Sequence, residues 1–296
     1  MRWVGGSLAE VVADVFASRV IASADVGGGH INQAYRFRLE SGTTVFVKTS
    51  GTAPVGSFAA EADGLRWLRE TNTVAVPEVL AMRDDADLVH RFLALEWIEQ
   101  GRPAADHDDR LGRALAGLHR FPCARFGFGT DTWIAGLPQP DPGPDDVVAT
   151  WAELYATYRI EPMLRRAVDA GALGPDHVSR WAAIEPRLDA LLGPPEPPSR
   201  LHGDLWGGNA IVDGSGQAVL VDPAPYGGHR EVDLAMMRLF GGFGPDVFRA
   251  YDEVHPLAPG WQERVDLHQL YPLLVHAVLF GGSYRAQVGA VLDRYR

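Results

Sequence analysis

The stretch LHGDLWGGNAIVDGSGQAVLVD, Leu201 to Asp222, decides how the rest of the chain is to be read. Three oxygen-bearing side chains in it stand at spacings that suit one chemistry. Four residues separate Asp204 from Asn209, and Asp222 closes the short apolar run Val219-Leu220-Val221. An alcohol that attacks a γ-phosphoryl group must be oriented and must lose its proton, while divalent cations neutralise the phosphate oxygens. In that chemistry Asp204 accepts the proton, and Asn209 and Asp222 hold Mg²⁺, a hard ion that needs few protein ligands when phosphates and water complete its octahedron. The pattern also predicts local structure. AIV and AVLVD read as strands joined by an Asp-Gly-Ser-Gly turn, which leaves Asp222 at a strand end facing a cleft. A lone His-Gly-Asp is more often a capped turn, and Asn209 and Asp222 in register lift this one above that reading.

Working upstream, DVGGGHINQAYRFRLESGTTVFVKTS, residues 25–50, predicts two strands around a Ser-Gly turn, preceded by three glycines. Gly27, Gly28 and Gly29 lack a Cβ and allow backbone N–H groups to approach a phosphate, although they match neither a Walker A loop nor G-x-G-x-x-G. Lys48 ends the apolar strand TVFVK, where a lysine is costly unless paired, and is placed to contact the α- and β-phosphates. The helix expected from about Ser57, SFAAEADGLRWLRE, offers Glu61 as its partner. After a DDAD turn, FLALEWI reads as a buried strand whose exit presents backbone groups to adenine, with Leu95, Glu96 and Trp97 as the candidates.

Composition bounds the function. The chain has 296 residues, 46% of them hydrophobic, a formal net charge of -11 and one cysteine. That length suits two lobes around a cleft, with the handover at Gly101-Arg102-Pro103: 1–100 as a nucleotide-binding lobe and 101–296 as a catalytic and substrate-binding lobe. The acidity argues against nucleic-acid binding and is compatible with cationic substrates. A single thiol, Cys123, excludes an internal disulfide and indicates a reducing compartment. Nowhere does an apolar run reach membrane-spanning length, so the expectation is a cytoplasmic protein with no membrane partner. Oligomeric state is left open.

Downstream, the apolar spacing of Leu111, Leu115 and Leu118 predicts a helix on which His119 is structural. The segment FGFGTDTWIAGLPQPDPGPDD reads as loop, and WAELYATYRIEPMLRRAVDAG as helix. The Pro-rich GPPEPPS at 193–199 is a stiff connector into the Asp204 stretch. Asp233, near the start of the next helix, is expected to brace the loop around Asp204, and two apolar helices parted by Gly281-Gly282 complete the chain.

With GGGHINQAY, VFVK plus Glu61, LHGDLWGGN, DPAPYGGHREVDLAMMRLFGGF and LLVHAVLFGGSY in view, the chain resembles the fructosamine kinase (ketosamine-3-kinase) family nearly end to end. The family shares a protein-kinase-like fold with aminoglycoside phosphotransferases. The resemblance implies an α+β, bilobal architecture with a small antiparallel-sheet lobe and a larger, mainly helical lobe. It also implies ATP- and Mg²⁺-dependent phosphorylation of the sugar 3-hydroxyl of a ketoamine, free or as glycated lysine on proteins, whose 3-phosphate can then eliminate and release the amine. Two departures stand out. His30 occupies a glycine-loop position where several relatives carry cysteine, so redox control there is not expected, and Pro225 and Gly227 interrupt a stretch that is commonly Tyr-rich. The alternatives are a phosphotransferase for aminoglycosides or amino-alcohols and a non-catalytic nucleotide-binding module.

Overall fold

Between residues 20 and 96 five runs rich in β-branched and aromatic side chains pair as strands. The computed structural model describes residues 6–27 and 33–296. In it β1 (Val20–Asp25), β2 (Gln33–Leu39), β3 (Thr44–Thr49), β4 (Val79–Arg83) and β5 (Phe92–Glu96) form one antiparallel sheet in the order β1-β2-β3-β5-β4. Strand period two sorts its faces. Val45 and Val47 on β3 join Phe92 and Ala94 on β5 in one buried cluster, closed by Val12 of α1 (Leu8–Val15). Helix α1 starts as expected, with Ser7 and Glu10 forming a capping box. Leu93 and Leu95 face the other way, onto Phe58, Ala62, Leu65 and Leu68 of α2 (Ser57–Arg69). Lys48 is on the α2 side, paired in register with Leu93.

The remainder is mainly helical. α3 (His107–Arg120) buries the predicted Leu111, Leu115 and Leu118. Two stretches depart from expectation. The supposed loop contains a hairpin, β6 (Thr132–Ile134) and β7 (Leu137–Gln139), turned by Ala135 and Gly136 at φ 51° and 80°. Alanine rarely adopts positive φ, so this turn carries no strong local signal. The helix predicted next is split into α4 (Trp151–Leu154), a π-helical segment Tyr155–Ile160, and α5 (Glu161–Asp169). Pro162 has no N–H to donate to the preceding turn, and the ladder widens ahead of it.

α6 (Pro175–Ile184) and α7 (Leu188–Leu191) lead to the Pro-rich connector and then to β8 (Ser199–Leu201), β9 (Ala210–Val212), β10 (Ala218–Leu220) and β11 (Tyr226–Gly228). β8 pairs with β11, and β9 with β10. α8 (Glu231–Phe240), α9 (Pro245–Val254), α10 (Trp261–Phe280) and α11 (Ser283–Tyr295) complete the core. α3 lies tightly on α9: a Cβ at Gly112 would meet the Val247 carbonyl oxygen at 2.2 Å, so the contact requires glycine. Among the described residues no helix is long and apolar enough to cross a membrane.

Buried ion pairs fix α8 to its neighbours. Arg230 holds Glu196 of the connector at 2.7 and 2.8 Å, and Arg264 of α10 holds both oxygens of Glu231 at 2.9 and 2.5 Å. The rings of His229 and His268 lie between these pairs, 5.3 Å apart. His229, Glu231 and His268 bring ligand-type atoms within 4.8 Å of one another. Both Glu231 oxygens are nevertheless taken by Arg264, and the set is an ion-pair network rather than a metal cage. Burial, reinforced by His268, pushes His229 down to about 4, while Glu231, raised by burial, is pulled to about 2 by His268 and Arg264.

The sign of the resulting pH effect follows. His229 is neutral in the fold but takes a proton near pH 6.5 when unfolded, so its contribution is complete above that pH and is lost as pH falls toward about 4. Chemical denaturation at pH 7, 6, 5 and 4.5 is expected to show stability declining by up to about 1.4 kcal/mol per pH unit from this residue. His229→Gln should flatten the decline. A profile that is flat across this window and equal for both proteins would mean that His229 is not held neutral.

Candidate active site

The loop after β8 is shaped by a carboxylate behind it. Asp233, fully buried in the first turn of α8, accepts the backbone N–H of His202 at 2.7 Å and of Gly203 at 2.9 Å. His119 of α3 faces the same carboxylate at 3.2 Å and reaches the Tyr251 hydroxyl at 2.8 Å through its other nitrogen. Burial pulls the Asp233 carboxyl upward, but His119 and these N–H donors outweigh it and hold it below the usual range. Gly203 turns the chain at φ +82°, where a Cβ would lie 1.9 Å from the Ala224 carbonyl oxygen. His202 then accepts the Asp204 N–H at Nδ1, which leaves Nε2 to donate to the Val221 carbonyl at 3.0 Å. Burial keeps this imidazole neutral. The turn is thus held from behind and points Asp204 outward.

Asn209 donates through its carboxamide to the Asp204 carbonyl at 2.8 Å and to Asp204 Oδ2 at 3.2 Å. Its backbone carbonyl accepts from Val221 at 2.9 Å, which registers β9 against the exit of β10. Asp222 follows at φ 52°, a left-handed conformation that a non-glycine residue adopts only where its surroundings impose it. Helix α2 rests on the next residues, since a Cβ at Gly64 would come 2.5 Å from Pro225 Cγ. One turn earlier on that helix stands Glu61.

Lys48 joins these parts. Its Nζ lies 2.8 Å from Glu61 Oε2 and 3.1 Å from Asp222 Oδ1. Burial disfavours the ammonium, but Asp222 and Glu61 together outweigh it and raise its pKa above the ordinary value. The two carboxylates fare differently. Asp222, whose side chain is half-exposed, is held low by Lys48, which outweighs its partial desolvation. Glu61 is pushed up to about 7 by burial and by Asp222, against the pull of Lys48, and its Oε1 has no hydrogen-bond partner among the described residues. Asp204 is raised to about 7 by burial first and by the Asp222 charge second.

Structure therefore brings Lys48, Glu61 and Asp222 into one cluster, and Asp204 and Asn209 into an adjoining one. The other described candidates are not hydrogen-bonded to these clusters. Gly27 is exposed and a Cβ there would meet nothing within 4 Å, while Gly28, Gly29 and His30 lie outside the described residues. Leu95 is buried in the α2-facing core and the Glu96 N–H is donated to Glu78. Trp97 bonds Glu99 through its indole nitrogen and carries Arg36 over its ring at 4.5 Å. None of these three hydrogen-bonds to the Lys48 or Asp204 groups among the described residues.

Sequence reading missed the cavity onto which Asp204 opens. Its walls include Ile134 from the β6–β7 hairpin, Val232 and Met236 from α8, and Tyr271 and His276 from α10. His276 in turn packs against Phe240 at 4.4 Å, and Phe240 against the exposed Trp206 at 6.4 Å. The signal in the sequence was the aromatic and histidine content of LHQLYPLLVH, uninformative without the folded arrangement.

Comparison with known proteins agrees with this architecture. The model of the fructosamine kinase family matches residues 7–296. A ketoamine kinase candidate of Synechocystis sp. is 38% identical over 93% of this chain and 90% of its own length. The chloroplastic protein-ribulosamine 3-kinase of Oryza sativa subsp. indica is 33% identical over 94% of this chain and 80% of its own. A solved fructosamine-3-kinase candidate from Thermobifida fusca superposes with a TM-score of 0.87 at 42% identity, covering 98% of both chains. More distantly, the macrolide 2'-phosphotransferase of Brachybacterium faecium shares the fold at a TM-score of 0.59 and 15% identity. The small antiparallel sheet, the helical remainder and the end-to-end match leave one assignment: the chain is a phosphotransferase of protein-kinase-like, bilobal fold and belongs to the fructosamine kinase family.

Proposed function

We propose that the protein transfers the γ-phosphoryl group of ATP to the sugar 3-hydroxyl of a ketoamine, such as fructosyl- or ribulosyl-lysine, free or on a protein. The observation that carries this reading is the meeting of Lys48, Glu61 and Asp222 beside the Asp204–Asn209 pair. The names of the ketoamine and ribulosamine kinase relatives support the acceptor class, and the net charge of -11 suits an amine-bearing substrate. Residues 1–100 are assigned as the nucleotide-binding lobe and 101–296 as the catalytic and acceptor-binding lobe. Gly27 to Gly29 and the strand exit at Leu95, Glu96 and Trp97 are assigned to the nucleotide.

In this mechanism the acceptor sits in the cavity beside Asp204 with its hydroxyl toward the carboxylate. At about 7, the Asp204 pKa is matched to accepting an alcohol proton near neutral pH. Lys48, kept charged by its carboxylate partners, turns to phosphate oxygens, and Glu61 holds it in place. Asn209 spends its NH₂ group on Asp204 and Asp222 spends only Oδ1 on Lys48. A carboxamide oxygen and a carboxylate oxygen are left, a donor set that suits a hard cation. Asn209 and Asp222 would hold Mg²⁺, which when bound supplies neutralisation of the phosphate charge.

The function is tested by ATP consumption against ribulosyl-lysine, fructosyl-lysine, kanamycin and choline at matched concentrations. Turnover confined to the ketoamines is expected. Preferential turnover of kanamycin or choline would reassign the acceptor, and consumption with none would leave only a nucleotide-binding module.

Asp204→Asn is expected to retain MgATP binding while kcat falls by about 10² to 10⁴, the usual worth of a positioned base. In the unmodified protein kcat/KM should be lost as pH falls through about 7, where Asp204 takes up its proton. Full turnover in the variant would remove Asp204 from this role.

For Lys48 and Glu61 a double-mutant cycle is decisive. Lys48→Met should lose several kcal/mol of transition-state stabilisation, and Glu61→Gln less, because it misplaces the ammonium without removing it. The double variant is expected to resemble Lys48→Met alone. Losses in log kcat/KM that simply sum would show that the two residues act independently.

A further inference from the structure

Polar side chains buried around Asp204 are nearly all spoken for. His202, Asn209, Asp233 and His119 close hydrogen bonds with one another or with backbone. Across the cavity, the His276 imidazole is bonded to the Pro272 carbonyl at 2.8 Å. Among the residues that line the cavity beside Asp204, Tyr271 is the exception. Only 3% exposed, it lines the cavity with Asp204, and its hydroxyl has no hydrogen-bond partner among the described residues. The backbone around it is well tied: its own N–H reaches the Tyr155 hydroxyl, which is bonded to the Leu267 carbonyl at 2.5 Å. Ring and backbone are therefore fixed while the phenol end is idle. Burial holds the phenol protonated and outweighs the nearby Arg159 charge, which favours ionisation, so the group is a donor at physiological pH.

A buried hydroxyl without a partner is destabilising, and phenylalanine would fill the same space without that penalty. The remaining walls, Ile134, Val232, Met236 and Val275, are apolar and can only pack against the carbon skeleton of an acceptor. A polyhydroxylated substrate entering such a space must find donors for the water it gives up.

We propose that Tyr271 is an acceptor-recognition residue, whose hydroxyl donates a hydrogen bond to a hydroxyl or carbonyl oxygen of the sugar held beside Asp204. This inference rests on the reading that the cavity takes the phosphoryl acceptor. Tyr271 then orients the sugar so that one hydroxyl, and not its neighbours, faces the carboxylate.

Tyr271→Phe tests it, read by melting temperature, by the KM for ATP, and by kcat/KM for ribulosyl-lysine, fructosyl-lysine and analogues of each lacking a single hydroxyl. The variant is expected to melt no lower than the parent and to keep its KM for ATP. Its kcat/KM for the ketoamine should fall about tenfold, the worth of one lost hydrogen bond in a buried site. For the analogue that lacks the bonded oxygen, parent and variant should react alike. An unchanged ketoamine kcat/KM, within about twofold, would overturn the proposal, as would equal losses toward ATP and ketoamine in a protein that melts lower. Should the parent prefer a different acceptor, the ketoamine reading fails, and the ratio of variant to parent on that acceptor still judges Tyr271. A parent silent toward every acceptor would overturn both.

Discussion

A single buried ammonium serves two carboxylates in this structure. Lys48 enters the cleft on β3, Glu61 arrives on α2, and Asp222 comes from the far end of the Asp204 stretch. Taking such a charge out of water is costly, and only close partners offset it. The sheet, α2 and the Asp204 stretch are thereby obliged to meet at one point, and the small-residue contact of Gly64 with Pro225 lets them come close enough. The arrangement is unequal by construction: one positive charge cannot satisfy two negative ones. Asp222 is held low while Glu61 is pushed to about 7 and keeps an unpartnered oxygen. Under the proposed function phosphate oxygens would take the place of Asp222 at Lys48, and Asp222 would be free to hold the cation.

A further carboxylate has the opposite character. Asp233 is fully buried and accepts from two consecutive backbone N–H groups and from His119. It is fixed by α8, and α8 is fixed in turn by the Arg230–Glu196 and Arg264–Glu231 pairs. The position of Asp204 is thus set by a chain of bonds that runs from the connector and α10 through α8 to the turn at Gly203. Removing a member of such a network leaves a buried charge uncompensated, which is why its geometry is stiff.

What could be read from the sequence was whatever is local. The Asp204–Asn209 spacing, the β9–β10 hairpin, the capping box at Ser7 and the lysine ending an apolar strand all declare themselves within a few residues. The Lys48–Glu61 pair was accessible because an unpaired lysine in a strand demands a partner and the next helix offers one. Placement of β5 between β3 and β4 is non-local, and the turn at Ala135 runs against backbone preference, so neither was visible. The cavity beside Asp204 escaped for the same reason: its walls come from residues near 134, 232–236 and 271–276. Leu95, Glu96 and Trp97 were chosen by their order along the chain, and their observed bonds run to the sheet core, Glu78, Glu99 and Arg36.

Two of the buried polar atoms that find no partner among the described residues stand beside the cleft, and their place there has a physical meaning. Asp233 and His202, which shape the Asp204 turn, are hydrogen-bonded; among the described residues Glu61 Oε1 and the Tyr271 hydroxyl are not. A fold selected for stability alone would favour phenylalanine over Tyr271, which fills the same volume without an idle hydroxyl. Stiff support behind and unmet hydrogen-bonding capacity in front is the arrangement expected where a ligand, rather than the protein itself, completes the network. It also accounts for two carboxyl groups whose pKa values sit near neutrality, because the same incomplete solvation that leaves donors and acceptors idle destabilises the charged form of Asp204 and Glu61.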